Sequence, residues 1–67
     1  MKARDIKSGD KVKVNSLKTP VIAQTIIREE DTDISKTTRK AVMGNILFTY
    51  NNCNKVIIPL DEEVEIL

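Results

Sequence analysis

Sixty-seven residues, 40% hydrophobic and 31% charged with a net charge of +1, suit one small folded domain. The chain has no His, no Trp and a single Cys, which excludes His-based acid/base catalysis, a disulfide framework within one chain and the usual zinc sites. No apolar stretch approaches the roughly 20 residues of a membrane helix, and no apolar run follows the opening charges, so a cytoplasmic protein without membrane contact is expected. Val, Ile and Thr together make 21 residues. Their β-branched side chains crowd a helix turn and pack well on a pleated surface, so strands are expected throughout.

In chain order, Ser8-Gly9-Asp10 is a turn signal. Alternation over 11–14 then puts Val12 and Val14 on a core face and Lys11 and Lys13 in water. Pro20 suits a strand start. Residues 21–28 are a long β-branched run, with Val21, Ala23, Thr25 and Ile27 on one face and Ile22, Gln24, Ile26 and Arg28 on the other. Two partly apolar faces predict a strongly bent strand, or one that meets a second surface. Residues 29–33 read as an acidic loop, and 34–38 continue it or begin a strand. Residues 39–43 and 45–50 are strand-like, with Gly44 as a bulge or Gly44-Asn45 as a two-residue turn. Asn51-Asn52-Cys53-Asn54 is the clearest turn, since Asn tolerates left-handed backbone. Residues 55–58 are the next strand, 59–62 one short helical turn, and 63–66 the closing strand. The expected fold is all-β: a small five- to six-stranded barrel with that one helical turn, in a single domain over residues 1–67.

Two stretches carry a family resemblance. Ile6-Lys7-Ser8-Gly9-Asp10-Lys11-Val12-Lys13-Val14 resembles the opening strand of SH3-like small β-barrels, including the KOW-type barrels. Ile57-Ile58-Pro59-Leu60-Asp61-Glu62-Glu63-Val64-Glu65-Ile66 resembles their closing strand, helical turn and last strand. The resemblance implies an SH3-like barrel. The middle of the chain departs from the KOW pattern, with Leu17-Lys18-Thr19-Pro20 where a Gly is expected. Two aromatic residues, Phe48 and Tyr50, leave no aromatic peptide groove.

Charge is segregated along the chain. Residues 1–18 carry +4, 19–33 carry −3, 34–58 carry +4 and 59–67 carry −4. Such blocks pair within one chain, pair with a second copy, or leave one basic face. Lys11, Lys13, Lys36, Arg39 and Lys40 are the candidate phosphate contacts, with the Thr37 and Thr38 hydroxyls beside them. The bland alternative is a solvated basic face, supported by the near-neutral total and the scarcity of stacking aromatics. Asp31, Asp33 and Ser35 have the one-three-five spacing of a calcium loop. The sixth position is Lys36 instead of Gly and the twelfth is Val42 instead of Glu, so a hydrated loop is expected and no metal. Cys53 has no His to activate it and reads as a bystander thiol. Ile22, Ile26 and Tyr50 are the candidate interaction surface, drawn from the apolar surplus of the 21–28 run and from the sparse aromatics.

Three function classes follow. The favoured one is a non-enzymatic binding or regulatory module that acts on a protein partner or on its own copies. The second is a nucleic-acid-binding barrel using the Lys/Arg set. The third is an enzyme or ligand-sequestering protein using Glu29, Asp31 or Asp33, which needs a site shared between subunits because so small a chain hardly encloses a pocket of about 300 Å³. No catalytic residue and no cofactor are expected.

Overall fold

In the computed structural model, which describes residues 1–67, the Ser8-Gly9-Asp10 turn forms as read. Gly9 takes a φ of +95°, a region that side-chain-bearing residues avoid. Its N–H donates to the Ala23 carbonyl at 2.7 Å, and the Asp10 carboxylate accepts the Lys7 N–H at 2.9 Å. Strand β1 (Lys11–Lys13) leaves this turn with Val12 fully buried between two exposed lysines.

The 21–28 run does not stay in one strand. It divides into β2 (Val21–Ile22) and β3 (Ile26–Ile27), which belong to different sheets. Ala23 still pairs with the first sheet through its N–H to the Asp10 carbonyl, whereas Gln24 already donates to the Thr49 carbonyl of the second. The small, fully buried Ala23 sits at this corner. The two partly apolar faces of the run therefore reflect a chain that crosses from one sheet to the other.

Residues 34–43 depart from the strand reading, because 36–41 form a helix, α1 (Lys36–Ala41). Ser35 caps it: its hydroxyl accepts the Thr38 N–H at 3.1 Å. A six-residue helix is marginal alone. The Arg39 guanidinium anchors this one by donating to the Glu29 and Asp31 carbonyls of the preceding loop. The helix ends at Ala41 with Val42 as its cap, and Gly44, at φ +74°, leads the chain into the next strand, so the expected Gly44 bulge or Gly44-Asn45 turn is a helix-to-strand connection instead.

Strands β4 (Asn45–Tyr50) and β5 (Asn54–Pro59) form a regular hairpin. Its turn uses Asn51 and Asn52 at positive φ, as their residue type predicts. The expected helical turn at 59–62 is a simple turn closed by one bond, Glu62 N–H to the Pro59 carbonyl at 3.1 Å. The short β6 (Glu65–Ile66) follows it. A 3-10 turn at Ala3–Asp5, unmarked in the sequence, carries Ala3 into the core.

The architecture is all-β: two antiparallel three-stranded sheets, ordered β2-β1-β6 and β3-β4-β5, with no strand ladder joining them into a closed ring. Val12, Val14 and Val21 near or on the first sheet pack with Ile46, Phe48 and Ile58 of the second, and Ala3, Ile6, Ala23 and Val64 complete one cluster. Every buried residue is apolar. No helix is long and apolar enough to cross a membrane.

Candidate functional site

The outer face of the first sheet carries the most exposed apolar strand residue. Ile22 is 54% exposed and stands directly opposite Lys11. On the other side of Lys11 lies Leu67, 61% exposed, whose N–H donates to the Lys11 carbonyl at 2.8 Å. Residues opposite one another in antiparallel strands share a face. Ile22, Lys11 and Leu67 therefore form one row across the sheet, with the lysine placed between two apolar residues. The next position pairs Lys13 with Glu65.

The other members of the expected interaction surface lie elsewhere. Ile26 and Tyr50 are partly buried against the core cluster, and Tyr50 stacks obliquely on Phe48 with ring centroids 6.3 Å apart. Only Ile22 of the three is largely exposed.

The expected basic set divides between two elements. Lys11 and Lys13 stand on β1, while Lys36, Arg39 and Lys40 belong to α1, which follows the second sheet's first strand. Lys13 reaches the Lys18 carbonyl at 3.3 Å, and Arg39 is committed to the acidic loop's carbonyls. Within that loop, the Asp31 carboxylate accepts the Arg28 N–H at 2.9 Å, and Ser35 is occupied as the helix cap. Cys53 is exposed in the hairpin turn.

The first and last charge blocks pair with each other. Arg4 meets Asp61, and Glu63 meets both the Met1 amine at 3.0 Å and Lys2 at 3.2 Å. The amine's hydrogen bond, then that of Lys2, holds the Glu63 carboxyl below the usual carboxylate range. The first and last blocks are thereby tied together.

Arg28 is a residue that periodicity places only as a strand end. Its guanidinium donates to the Arg4 carbonyl at 3.2 Å and to the Ile6 carbonyl at 2.6 Å, clasping the second sheet to the N-terminal turn. No local sequence signal marks such a contact, since its acceptors are main-chain atoms more than twenty residues away. Beside it, a cleft of about 500 Å³ is lined by Lys7, Ser8, Gln24 and Asp31 among others, and it stays open to solvent. With Arg28 and Asp31 engaged in the fold, Lys7 is the charged group in this cleft that makes no side-chain bond.

Among known proteins, the chain matches no protein-family model, no curated sequence and no solved structure.

Proposed function

We propose that this chain is a non-enzymatic binding module that acts through contact with a protein partner or with its own copies. The observation that carries this reading is the row Ile22–Lys11–Leu67, two exposed apolar residues on either side of a lysine on an otherwise polar sheet face. Exposed side chains of this kind lose water favourably when a partner covers them. The engagement of Arg28, Arg39 and Asp31 in structural bonds also favours binding over catalysis. An SH3-like arrangement of the two sheets is part of the proposal, supported by the Gly9-Asp10 opener and by the 57–66 closing segment. A reducing, cytoplasmic setting also belongs to it, in keeping with the single free thiol.

The alternative is nucleic-acid binding through Lys11, Lys13, Lys36, Arg39 and Lys40. It draws on the 34–58 block, which has four basic residues and no acid. One experiment separates the readings. A photo-crosslinking amino acid is placed at position 22, or at position 36 or 40, in the native cells. A discrete protein adduct or a self-adduct at position 22 supports the binding module. Nucleic-acid adducts at positions 36 and 40, with none of any kind at 22, refute it in favour of the alternative.

A further inference from the structure

A sheet edge exposes unpaired backbone donors and acceptors, and folded proteins blunt such edges by shortening, covering or interrupting them. This chain has two sheets and therefore four edges. The β2 edge is two residues long and begins after Pro20, which has no N–H to offer. The β6 edge is two residues long, and the chain leading into it is covered by the N-terminal segment: Val64 N–H donates to the Met1 carbonyl, and Ala3 N–H donates to the Glu62 carbonyl. The β3 edge is also two residues long, and the next N–H along it, that of Arg28, is taken by the Asp31 carboxylate.

The β5 edge is neither short nor covered over its middle; Pro59 stands at its end, and the charge of Lys55 is what guards the rest. It is six residues long and pairs with β4 in unbroken register. Leu60 N–H donates to the Gly44 carbonyl, which fixes the alternation of the ladder. Val56 and Ile58 then direct their backbone groups to β4, and Lys55 and Ile57 direct theirs outward. None of the backbone bonds outside the ladders reaches Lys55 or Ile57. Two donors and two acceptors thus stand open along one edge.

The side chains around this edge specify what fits it. Ile57 is 43% exposed and ends a cross-strand row with Leu47 and Ile27. Lys55 lies two residues away on the same face. Val56 points to the other face, partly buried against the core. An added strand needs an apolar side chain beside Ile57, another beside Val56 and a carboxylate beside Lys55. A second copy's β5 fits this less well, because residues 34–58 carry four positive charges and no negative one.

We infer that the outer edge of β5, at Lys55–Ile57, takes up an extended acidic-apolar segment of a partner protein as an added antiparallel strand. Main-chain bonds supply the attachment, while Lys55 and the Ile57 row select the sequence. The inference rests on the binding-module reading and gives it a site separate from the Ile22 row.

The test is a titration of the isotope-labelled chain, followed by amide NMR, with the capped peptide Thr-Thr-Ile-Val-Glu-Thr-Thr and with its Lys-for-Glu counterpart. The Glu peptide is expected to shift the Lys55 and Ile57 amides, and to bind roughly fivefold tighter than the Lys peptide. Ile57→Pro removes the outward donor together with the Ile57 side chain and leaves the bonds to β4 in place, so the fold should persist and Glu-peptide binding should be lost. Lys55→Glu leaves the backbone intact and should reverse the preference between the two peptides. Failure of the Glu peptide to shift Lys55 and Ile57 overturns the proposal, as does binding unaffected by both substitutions. Shifts confined to Ile22, Lys11 and Leu67 also overturn it while leaving the binding-module reading standing. A concentration-dependent dimer abolished by Ile57→Pro would assign the edge to a second copy and overturn the acidic-partner inference. The crosslink at position 22 tests the broader reading independently.

Discussion

Replacing Arg28 with Met tests how much of this small fold hangs on one guanidinium. Met keeps an apolar stem of similar reach and removes the donors. Two bonds are lost, to the Arg4 carbonyl at 3.2 Å and to the Ile6 carbonyl at 2.6 Å. The first is exposed and long, so water replaces it at little cost. The second is partly buried beside a fully buried residue, where a charge-assisted hydrogen bond is worth about 1.5–3 kcal/mol. The expected loss is about 2 kcal/mol in all. Domains of this size hold roughly 3–5 kcal/mol of net stability, so about half would go. The corresponding fall in Tm is roughly 8–16 °C. Thermal melting followed by circular dichroism reads it directly. Hydrogen exchange should show the Ala3, Arg4 and Ile6 amides opening before those of β4, because their bonds hold the segment that Arg28 clasps. Arg28→Lys should fall between, since one ammonium does not reproduce the planar fork. A Tm within about 2 °C of the wild type, with unchanged exchange at residues 3–6, would refute the clasp.

Arg39→Ala should release α1 from the acidic loop; far-UV circular dichroism should show the loss of that helix, with a destabilisation of about 1 kcal/mol and the hairpin intact. Gly44→Ala should destabilise by about 1–2 kcal/mol in denaturant titration even though an added Cβ meets nothing within 4 Å, because the strain is in the backbone at φ +74°. Gly44→Asn, which tolerates that region better, should lose less. Glu63 should titrate below its ordinary range in a carboxyl NMR experiment. The sign follows from the lowered folded value. Its stabilisation is complete above the unfolded carboxylate range and disappears as the pH falls through the folded value. Lys2→Ala should move the titration partway back, and acetylating the Met1 amine should move it further, since the amine is the larger cause.

Local chemistry was legible wherever a short stretch determines its own conformation. The Gly9 and Asn51-Asn52 turns follow from backbone tolerance of positive φ, and the 45–50 strand from its apolar run between turn residues. The helix at 36–41 was not legible, although Ser35 with Thr38 is a capping arrangement in plain view. Thr37 and Thr38 lower helix propensity, and the anchor that offsets them is a set of Arg39 bonds to main-chain carbonyls with no residue signature. Much the same holds for the candidate surfaces. Ile22 was identified from its place in a two-faced run, while Leu67 and Ile57 gained importance only when neighbouring strands placed them in rows. Ile26 and Tyr50 resemble Ile22 in the sequence, but the core takes them.

Composition and period by themselves determined the all-β class, the main turns and the alternation that buries Val12 between two lysines, because β-branching, positive φ and the two-residue period are local properties. Only the tertiary structure decided where the 21–28 run changes sheets, which charges meet, which edge stays open and which apolar side chains face water. Those outcomes depend on contacts between residues distant in the chain, such as Arg28 with Ile6 and Glu63 with Lys2, which no local pattern encodes.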